Sequence, residues 1–429
     1  MIMKDFKKIF DLTKMKGKAV SIRGWVYRKR EMKDKVFLVI RDSTGIVQCV
    51  VKEGSKSWED AKKITMESSL MLTGKVKEDK RAPTGVEIET ETLEIVGLAE
   101  RFPIGRDLSE EFLLDVRHLW LRSRKMTAVM KIRSVVFGAI HEFFRKEEYH
   151  EIQAPILTPS ACEGATDLFE VPYFGKKTYL TQSWQLYAEQ FIQFLEKAYT
   201  ITPAFRAEKS STNRHLNEYW TTEMEEAWVD MEKGIEIGEG LISYICGEVA
   251  KKCEAELEVL ERDVKELKEV KAPFPRMTYT EGIKLLEKDG MKIKWGKDLR
   301  TIEERTLASK YKKPLIVTHY PTKVKAFYMK LDPKDPKQVL AFDFLLPGSG
   351  DEVIGGSERE VDIKSIEKRL KAAGEDLDSY GWYLDCRRFG AVPHTGFGMG
   401  IERLVKWICG LDTIRDAIPF PRTMTRFKP

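Results

Sequence analysis

Apolar and polar residues alternate along the first hundred positions, and then the period changes. Val20, Ile22, Gly24 and Val26 fall on one side of an extended segment, and Ser21, Arg23, Trp25 and Tyr27 on the other. A period of two marks a half-buried strand. Five such segments are predicted, at 19–27, 36–41, 45–51, 69–76 and 86–96, with a charged amphipathic helix at 57–67 between the third and fourth. Five strands with a helix at that place fit a small all-β barrel of the OB type over residues 1–100, a fold that commonly binds oligonucleotides.

Residues 101–122, with Pro103 and Gly105, read as a hinge. Beyond them the period lengthens. Ile132, Val136, Ile140, Phe143 and Phe144 make one stripe of a helix predicted over 127–149. The extended stretch that follows contains Pro155, which suits an edge strand or a partner contact and not a central ladder. A loop around Glu163 and Gly164 leads to 179–187, a strand running into a helix, where Gln182, Ser183 and Gln185 lie among aromatic residues. Residues 202–230 read as a long hairpin. Ile237, Leu241, Ile245, Val249 and Leu257 stripe a charged helical insertion around 232–275. Helix and loop follow over 277–312, then strands at 314–318, 326–330 and 339–345. Strands and helices mixed this way make 123–429 an α+β domain built on an antiparallel sheet.

Composition narrows the classes. With 42% hydrophobic and 33% charged residues the chain is globular. No apolar run approaches the ~20 residues of a membrane span, and the start of the chain shows no signal-peptide core. The six cysteines form no C-x-x-C pair, so reduced thiols in a cytosolic protein are expected. A net charge of +5 is small, so any nucleic-acid surface must be a local patch.

The hairpin carries the chemistry. Arg206 offers a planar, permanent cation that can grip a phosphate with two hydrogen bonds. Glu208, two residues on, is placed on the same face of the strand and can accept from an adenine amino group. Arg214 and His215 sit on the loop, where they could fold over outer phosphates. Gly396, Gly398 and Gly400 would let backbone approach a nucleotide. Taken singly, a charged surface hairpin and a tight turn explain these stretches as well. On the barrel, Arg28, Lys29, Arg30, Phe37 and Gln48 could stack on and read bases, or Phe37 could be core.

In order and spacing the segments resemble the class II aminoacyl-tRNA synthetases. The long helix with Pro155 resembles their motif 1, the F-R-x-E hairpin motif 2, and G-F-G-M-G-I-E-R at 396–403 motif 3. The barrel adds a resemblance to the subgroup that charges aspartate, asparagine or lysine. Within it, Y-L-T-Q-S-x-Q-L-Y, I-G-G-S-x-R-E at 354–360 and I-R-D-A-I-P-F-P-R-T look like the archaeal-type asparaginyl branch. Ala188 stands where aspartyl relatives carry lysine, and Glu223 where they carry aspartate. Trp184 replaces a small residue, Gly355 a serine near the metal, and Met224 a proline.

The resemblance implies ATP and asparagine as substrates, Mg²⁺, tRNA(Asn) as partner, and a homodimer formed through motif 1. It implies catalytic roles for Arg206 and Arg403. ATP would be bound by these with Glu208, Arg214, His215, Leu216, Glu352, Gly400, Ile401 and Glu402. Glu163, Ser183, Gln185, Glu223 and Arg359 would bind the amino acid. Glu352 and Asp343 would hold the metal, and Arg28, Phe37 and Gln48 would meet the anticodon. The alternative within the subgroup is an aspartyl enzyme, possibly charging both tRNAs. Further off stand an amide synthetase, whose relatives lack the barrel, and a non-enzymatic RNA-binding module.

Overall fold

The structure is a computed structural model that describes residues 5–105, 108–159, 162, 168–209 and 212–429. The chain divides into two compact units, Met1–Leu113 and Leu114–Pro429.

In the first unit β1 (Ala19–Glu31), β2 (Lys35–Arg41), β3 (Ile46–Lys52), β4 (Ser69–Glu78) and β5 (Val86–Gly97) close a barrel in the order β1-β2-β3-β5-β4. The alternating set of the sequence is the lining: Val20, Ile22, Val26, Val36, Leu38 and Ile40 are buried. Gly24 belongs to that inward set because the wall passes close. A Cβ there would lie 2.3 Å from the Arg41 carbonyl oxygen. β1 runs four residues beyond its expected end, through Arg28, Lys29 and Arg30. A bulge between Val26 and Arg28 re-aims the strand and lets this basic stretch keep pairing with β2. The helix α1 (Trp58–Lys63) is shorter than its charged pattern suggested.

The second unit is built on one large sheet. Its strands are β6 (His150–Glu151), β10 (Lys197–Phe205), β11 (Glu218–Ala227), β12 (Arg276–Thr278), β13 (Leu315–Pro321), β14 (Gln338–Leu345), β15 (Glu352–Glu358) and β16 (His394–Gly400). They lie in the order β12-β13-β14-β15-β16-β11-β10-β6. The six inner strands are antiparallel, and only the short outermost pairings are parallel. A small sheet of β7 (Leu157–Thr158), β9 (Lys176–Leu180) and β8 (Glu170–Tyr173) stands apart. Helices Arg124–Lys146 and Met231–Lys252 pack their apolar stripes against the large sheet, and Phe342, Phe344, Ile354 and Phe397 meet them from the strands.

Two expectations change. The stretch around Pro155 is not one strand: β6 and β7 belong to different sheets, and the proline lies in the coil between, where no ladder needs its missing N–H. Residues 326–330 form no strand, only a bridge from Met329 to Arg359. The charged insertion is helical as expected, in three helices, Met231–Lys252, Glu254–Val259 and Val264–Lys268.

The C-terminal segment is anchored by one buried cation. Arg117 donates to the carbonyls of Pro419, Arg415 and Ile418, each at 2.9 Å, and to Asp416 Oδ1 at 2.8 Å. Removing it takes the donor from three carbonyls, that of Ile418 buried, and leaves Asp416, among the described residues, with only Lys125 at 3.2 Å. Arg117→Met is therefore expected to lower the unfolding free energy of the second unit by about 3–5 kcal/mol, read as the shift of its urea transition.

Candidate active site

A cavity of about 890 Å³ opens over β11, β15 and β16 and beneath the loop of the β10–β11 hairpin. The hairpin is in register to its last pair, Phe205 with Glu218. Arg206 and Glu208 therefore lie past the strand, not on it, and strand alternation does not align them. Asn217 does: its side chain donates to the carbonyls of Arg206 (2.7 Å) and Glu208 (3.2 Å) and turns the chain back. The Arg206 guanidinium ends 3.7 Å from the Glu208 carboxylate, which also lies 3.5 Å from His215 Nε2. The loop is stitched to the C-terminal segment by Asn217 N–H to the Arg422 carbonyl (2.9 Å) and Ile414 N–H to the Asn213 carbonyl (3.0 Å). Leu216 is buried there against Ile414 and Ile418.

Opposite the hairpin, Arg403 extends from helix Ile401–Cys409 and donates to the Glu352 carbonyl at 2.7 Å. Glu402 also borders the cavity, but its carboxylate is engaged below, paired with Arg133 (2.7 Å) and accepting from Trp220 N–H (2.9 Å). It braces helix to hairpin. Ile401 departs from expectation: its side chain is fully buried in the core and does not line the cavity.

One end of the cavity is acidic. Asp343, Glu352 and Asp298 line it beside Lys325, whose ammonium lies 2.6 Å from Asp343. A Cβ on Gly355 would meet Glu352 Oε1 at 2.7 Å and Asp343 Oδ1 at 3.5 Å, so both oxygens flank the same small space. Two hard oxygen donors facing one space suit Mg²⁺, which takes its remaining ligands from water and phosphate. Among the described residues no group of three or more His, Cys, Asp or Glu forms a self-sufficient metal cage. Arg214 folds over this end, paired with Glu304 (3.2 Å) and Asp351 (2.5 Å). Burial, and then repulsion from Glu352, push the Glu304 carboxyl up to about 7.

The other end is small and polar. Glu223 Oε2 accepts from Ser183 Oγ (2.6 Å) and from Trp184 N–H (3.0 Å). The Trp184 ring itself turns away and packs with Ala188 and Ile192 behind the wall, so its size leaves the cavity unchanged. Arg359 is forked on Glu225, with Nε to Oε2 at 3.2 Å and Nη2 to Oε1, and donates from Nη1 to Ser357 Oγ at 2.9 Å. Burial pushes the Glu225 carboxyl up and the guanidinium pulls it back. We take the pair as ionised, because a neutral carboxyl would leave the fork short of an acceptor. Three of the five arginine N–H groups are engaged, and the outer edge of the fork is turned elsewhere. Gly396 is required here, since a Cβ would fall 2.0 Å from the Glu225 carboxylate.

Ser183, Gln185, Arg206, Glu208, Arg214, His215, Leu216, Glu223, Asp343, Glu352, Arg359, Gly400, Glu402 and Arg403 thus border one cavity. Glu163 lies outside the described residues. Sequence reasoning missed Asp298, Lys325 and the ion-pair partners Glu225 and Glu304. None stands in a local pattern: Glu225 is brought in by the sheet order, Glu304 by helix Thr301–Ala308, and Asp298 and Lys325 by irregular segments.

On the barrel, Phe37 is outward and half-buried under the Arg30 guanidinium at 5.1 Å, so it is not core. Arg28 pairs across to Val39 and Val39 to Gln48, which puts Arg28, Phe37 and Gln48 on one outer face. Gln48 donates to Glu87 at 3.0 Å.

Comparison with known proteins agrees. A family model for class II tRNA synthetases (D, K and N) matches residues 109–424, and one for an OB-fold nucleic acid binding domain matches 20–96. The chain is 46% identical over 418 residues to the asparagine–tRNA ligase of Thermococcus kodakarensis, covering 97% of each. To that of Thermoplasma acidophilum it is 46% identical over 416 residues, 96% of this chain and 97% of the other. The crystal structure of Pyrococcus horikoshii asparaginyl-tRNA synthetase complexed with asparaginyl-adenylate superposes with a TM-score of 0.95 at 45% identity, covering 100% of both chains. The aspartyl tRNA synthetase of Entamoeba histolytica gives 0.86 at 27% identity, covering 100% of this chain and 93% of that one.

The raised Glu304 carboxyl fixes a pH dependence. A folded-state value near 7 against the ordinary 4.5 means that the native protein binds the proton more tightly than the unfolded chain. That contribution to stability is complete below pH 4.5 and is lost as pH rises through about 7. Glu304→Gln is expected to flatten this part of the Tm profile of the ligand-free protein, measured by calorimetry from pH 5 to 8.

Proposed function

The chain belongs to the class II tRNA synthetases of the D, K and N group, and from that premise we propose that it activates asparagine with ATP and transfers it to tRNA(Asn). The observation that carries this is one cavity whose cation-rich wall suits a triphosphate and whose far end pairs Glu223 and Arg359 around a space for a neutral amide.

Activation needs no general base, because the attacking group is already a carboxylate. Its oxygen bonds to the α-phosphorus, pyrophosphate leaves, and asparaginyl-adenylate results. Catalysis is then positioning and charge neutralisation. Arg206 holds the carboxylate and α-phosphate together. Arg403 lies against adenine and the outer phosphate. Arg214 and His215 close on the β and γ phosphates, and Arg214 must leave Glu304 to do so. Glu208 accepts from the adenine amino group, and Gly400 lets the backbone approach. Asp343 and Glu352 would hold Mg²⁺, which supplies charge neutralisation at the phosphates. In the second step the terminal ribose hydroxyl of tRNA takes the acyl group and releases AMP.

Asparagine differs from aspartate by an NH₂ in place of an O⁻. Glu223 is acceptor-only: it takes a hydrogen bond from the amide NH₂ and repels a carboxylate. Arg359 donates to the amide oxygen from its outer edge. Ala188, fully buried behind the wall, supplies no cation for an acid. Ser183 and Gln185, with Glu163, bind the α-ammonium. On the barrel, Arg28, Phe37 and Gln48 meet the central base of the anticodon.

The protein acts as a homodimer. Ile152 and Ala154, next to Pro155, pack on the same cluster as Phe191 and Val392. Phe194, which meets Phe191, is 71% exposed, and Trp228 and Phe389 are 66% and 79% exposed, apolar surface that a second copy would cover. All six cysteines are buried free thiols, which suits the cytosol.

Pyrophosphate exchange with asparagine and aspartate side by side tests the activity: exchange with asparagine is expected, and a preference for aspartate would overturn the reading. In Glu223→Gln the preference for asparagine is expected to collapse by about 10²-fold or more. The pair Trp228→Glu and Phe389→Glu should yield monomers by light scattering.

A further inference from the structure

Glu189 plays no part in the chemistry above, yet it is among the most heavily engaged carboxylates in the chain. It follows Ala188 in helix Gln185–Leu195 and is fully buried. It does not line the cavity. Four donors converge on it. Gln185 Nε2 lies 3.0 Å from Oε1, while the Tyr383 hydroxyl (2.9 Å), His394 Nε2 (3.1 Å) and the Arg387 guanidinium all meet Oε2. His394 Nδ1 lies 2.7 Å from the Val392 carbonyl oxygen. The His394 ring thus sits between two acceptors, the Val392 carbonyl and the Glu189 carboxylate. The Arg387 guanidinium is the permanent cation on that carboxylate. Burial alone would raise its pKa, but Arg387 and His394 outweigh burial and keep it well below the ordinary carboxylate range.

Gln185 does line the cavity. A glutamine amide can turn over and exchange its oxygen for its NH₂ at little steric cost. Before an ammonium group the two faces are opposites: the oxygen binds it and the NH₂ repels it. An ionised carboxylate beneath the amide removes the choice, because only the NH₂ can donate to it.

We propose that Glu189 is a positioning residue for the amino-acid site: by binding the Gln185 amide nitrogen it turns the Gln185 carbonyl oxygen toward the α-ammonium of the substrate. This rests on the reading of the cavity as an asparagine site. Arg387, His394 and Tyr383 serve the same end indirectly, since they keep the carboxylate charged and fixed. The anchor is i+4 to Gln185, one helical turn away, so the two side chains stack on one helix face.

The test compares asparagine with succinamate, which keeps the amide and carboxylate but lacks the α-ammonium. In Glu189→Gln the side chain below Gln185 can donate as well as accept, and the amide is no longer forced. The KM for asparagine in pyrophosphate exchange is expected to rise about tenfold or more, the loss of one hydrogen bond to a charged group. Inhibition by succinamate and the KM for ATP should stay within about twofold. Adding Glu189→Gln to Gln185→Met should cost nothing further, because the oxygen being aimed is gone. Should Glu189→Gln fail to fold, Tyr383→Phe removes one donor and should show the same selective loss at smaller size. Equal weakening of asparagine and succinamate, or an unchanged KM for asparagine, overturns the positioning role while the parent's activity stands. A parent that does not exchange with asparagine overturns the reading of the site and this role with it.

Discussion

Joining a carboxylate to a triphosphate means bringing like charges into contact, and the second unit is arranged around that repulsion. Its arginines cannot stand bare in a partly buried cavity before the nucleotide arrives, since an unpaired buried charge is costly. In the structure the arginines that face the cavity are matched to local acceptors. Arg206 is near Glu208, Arg214 is on Glu304 and Asp351, Arg359 is forked on Glu225, and Arg403 donates to a backbone carbonyl. These partners are of two kinds. Glu225 is buried on β11 against Gly396, with no space for another partner, and Arg359 stays where it is. Glu304 is poorly solvated and crowded by Glu352, so it is a partner that Arg214 can leave.

The same division explains what could be read from the sequence. Residues whose roles depend on local pattern were legible. F-R-x-E closes a hairpin and G-x-G-x-G ends a strand, and in the structure Arg206 and Glu208 of the one and Gly398 and Gly400 of the other border one cavity. Residues whose roles depend on strand order were not. Glu225 and Arg359 meet because β11 and β15 both pair with β16. Lys325 sits in an irregular stretch with nothing periodic about it. β15 was not anticipated as a strand, because Gly355 and Gly356 depress strand propensity while the fold needs them small; a Cβ on Gly356 would lie 2.4 Å from the Phe342 ring. Pro155 is unfit for a ladder, as expected, but the extended stretch around it reads as one strand where the chain changes sheets.

Local reading also misled at Arg206 and Glu208. Alternation assumes that a strand continues, and β10 stops at Phe205. The two side chains come together through Asn217, a residue with no motif of its own, which bonds two carbonyls of the returning chain. In the barrel the reverse holds. Alternation places the lining correctly, and the basic run beyond the expected end of β1 is a strand extension because a bulge lets it keep pairing.

Selecting an amide over its acid asks for more than one acidic side chain. A lone carboxylate in a buried pocket would be neutralised or would draw in any cation. Glu223 avoids this because two donors, Ser183 Oγ and Trp184 N–H, hold it charged from the protein side. Arg359 is likewise held charged from behind by Glu225. On the proposed reading, the pocket then presents one fixed acceptor and one fixed donor, neither of which the substrate must ionise. Beneath them the Glu189 cluster repeats the device a layer deeper, with the Arg387 guanidinium and the His394 ring on one anion. A neutral side chain fits between such groups without disturbing their balance. An anionic one would have to displace a proton equilibrium that several buried charges already oppose.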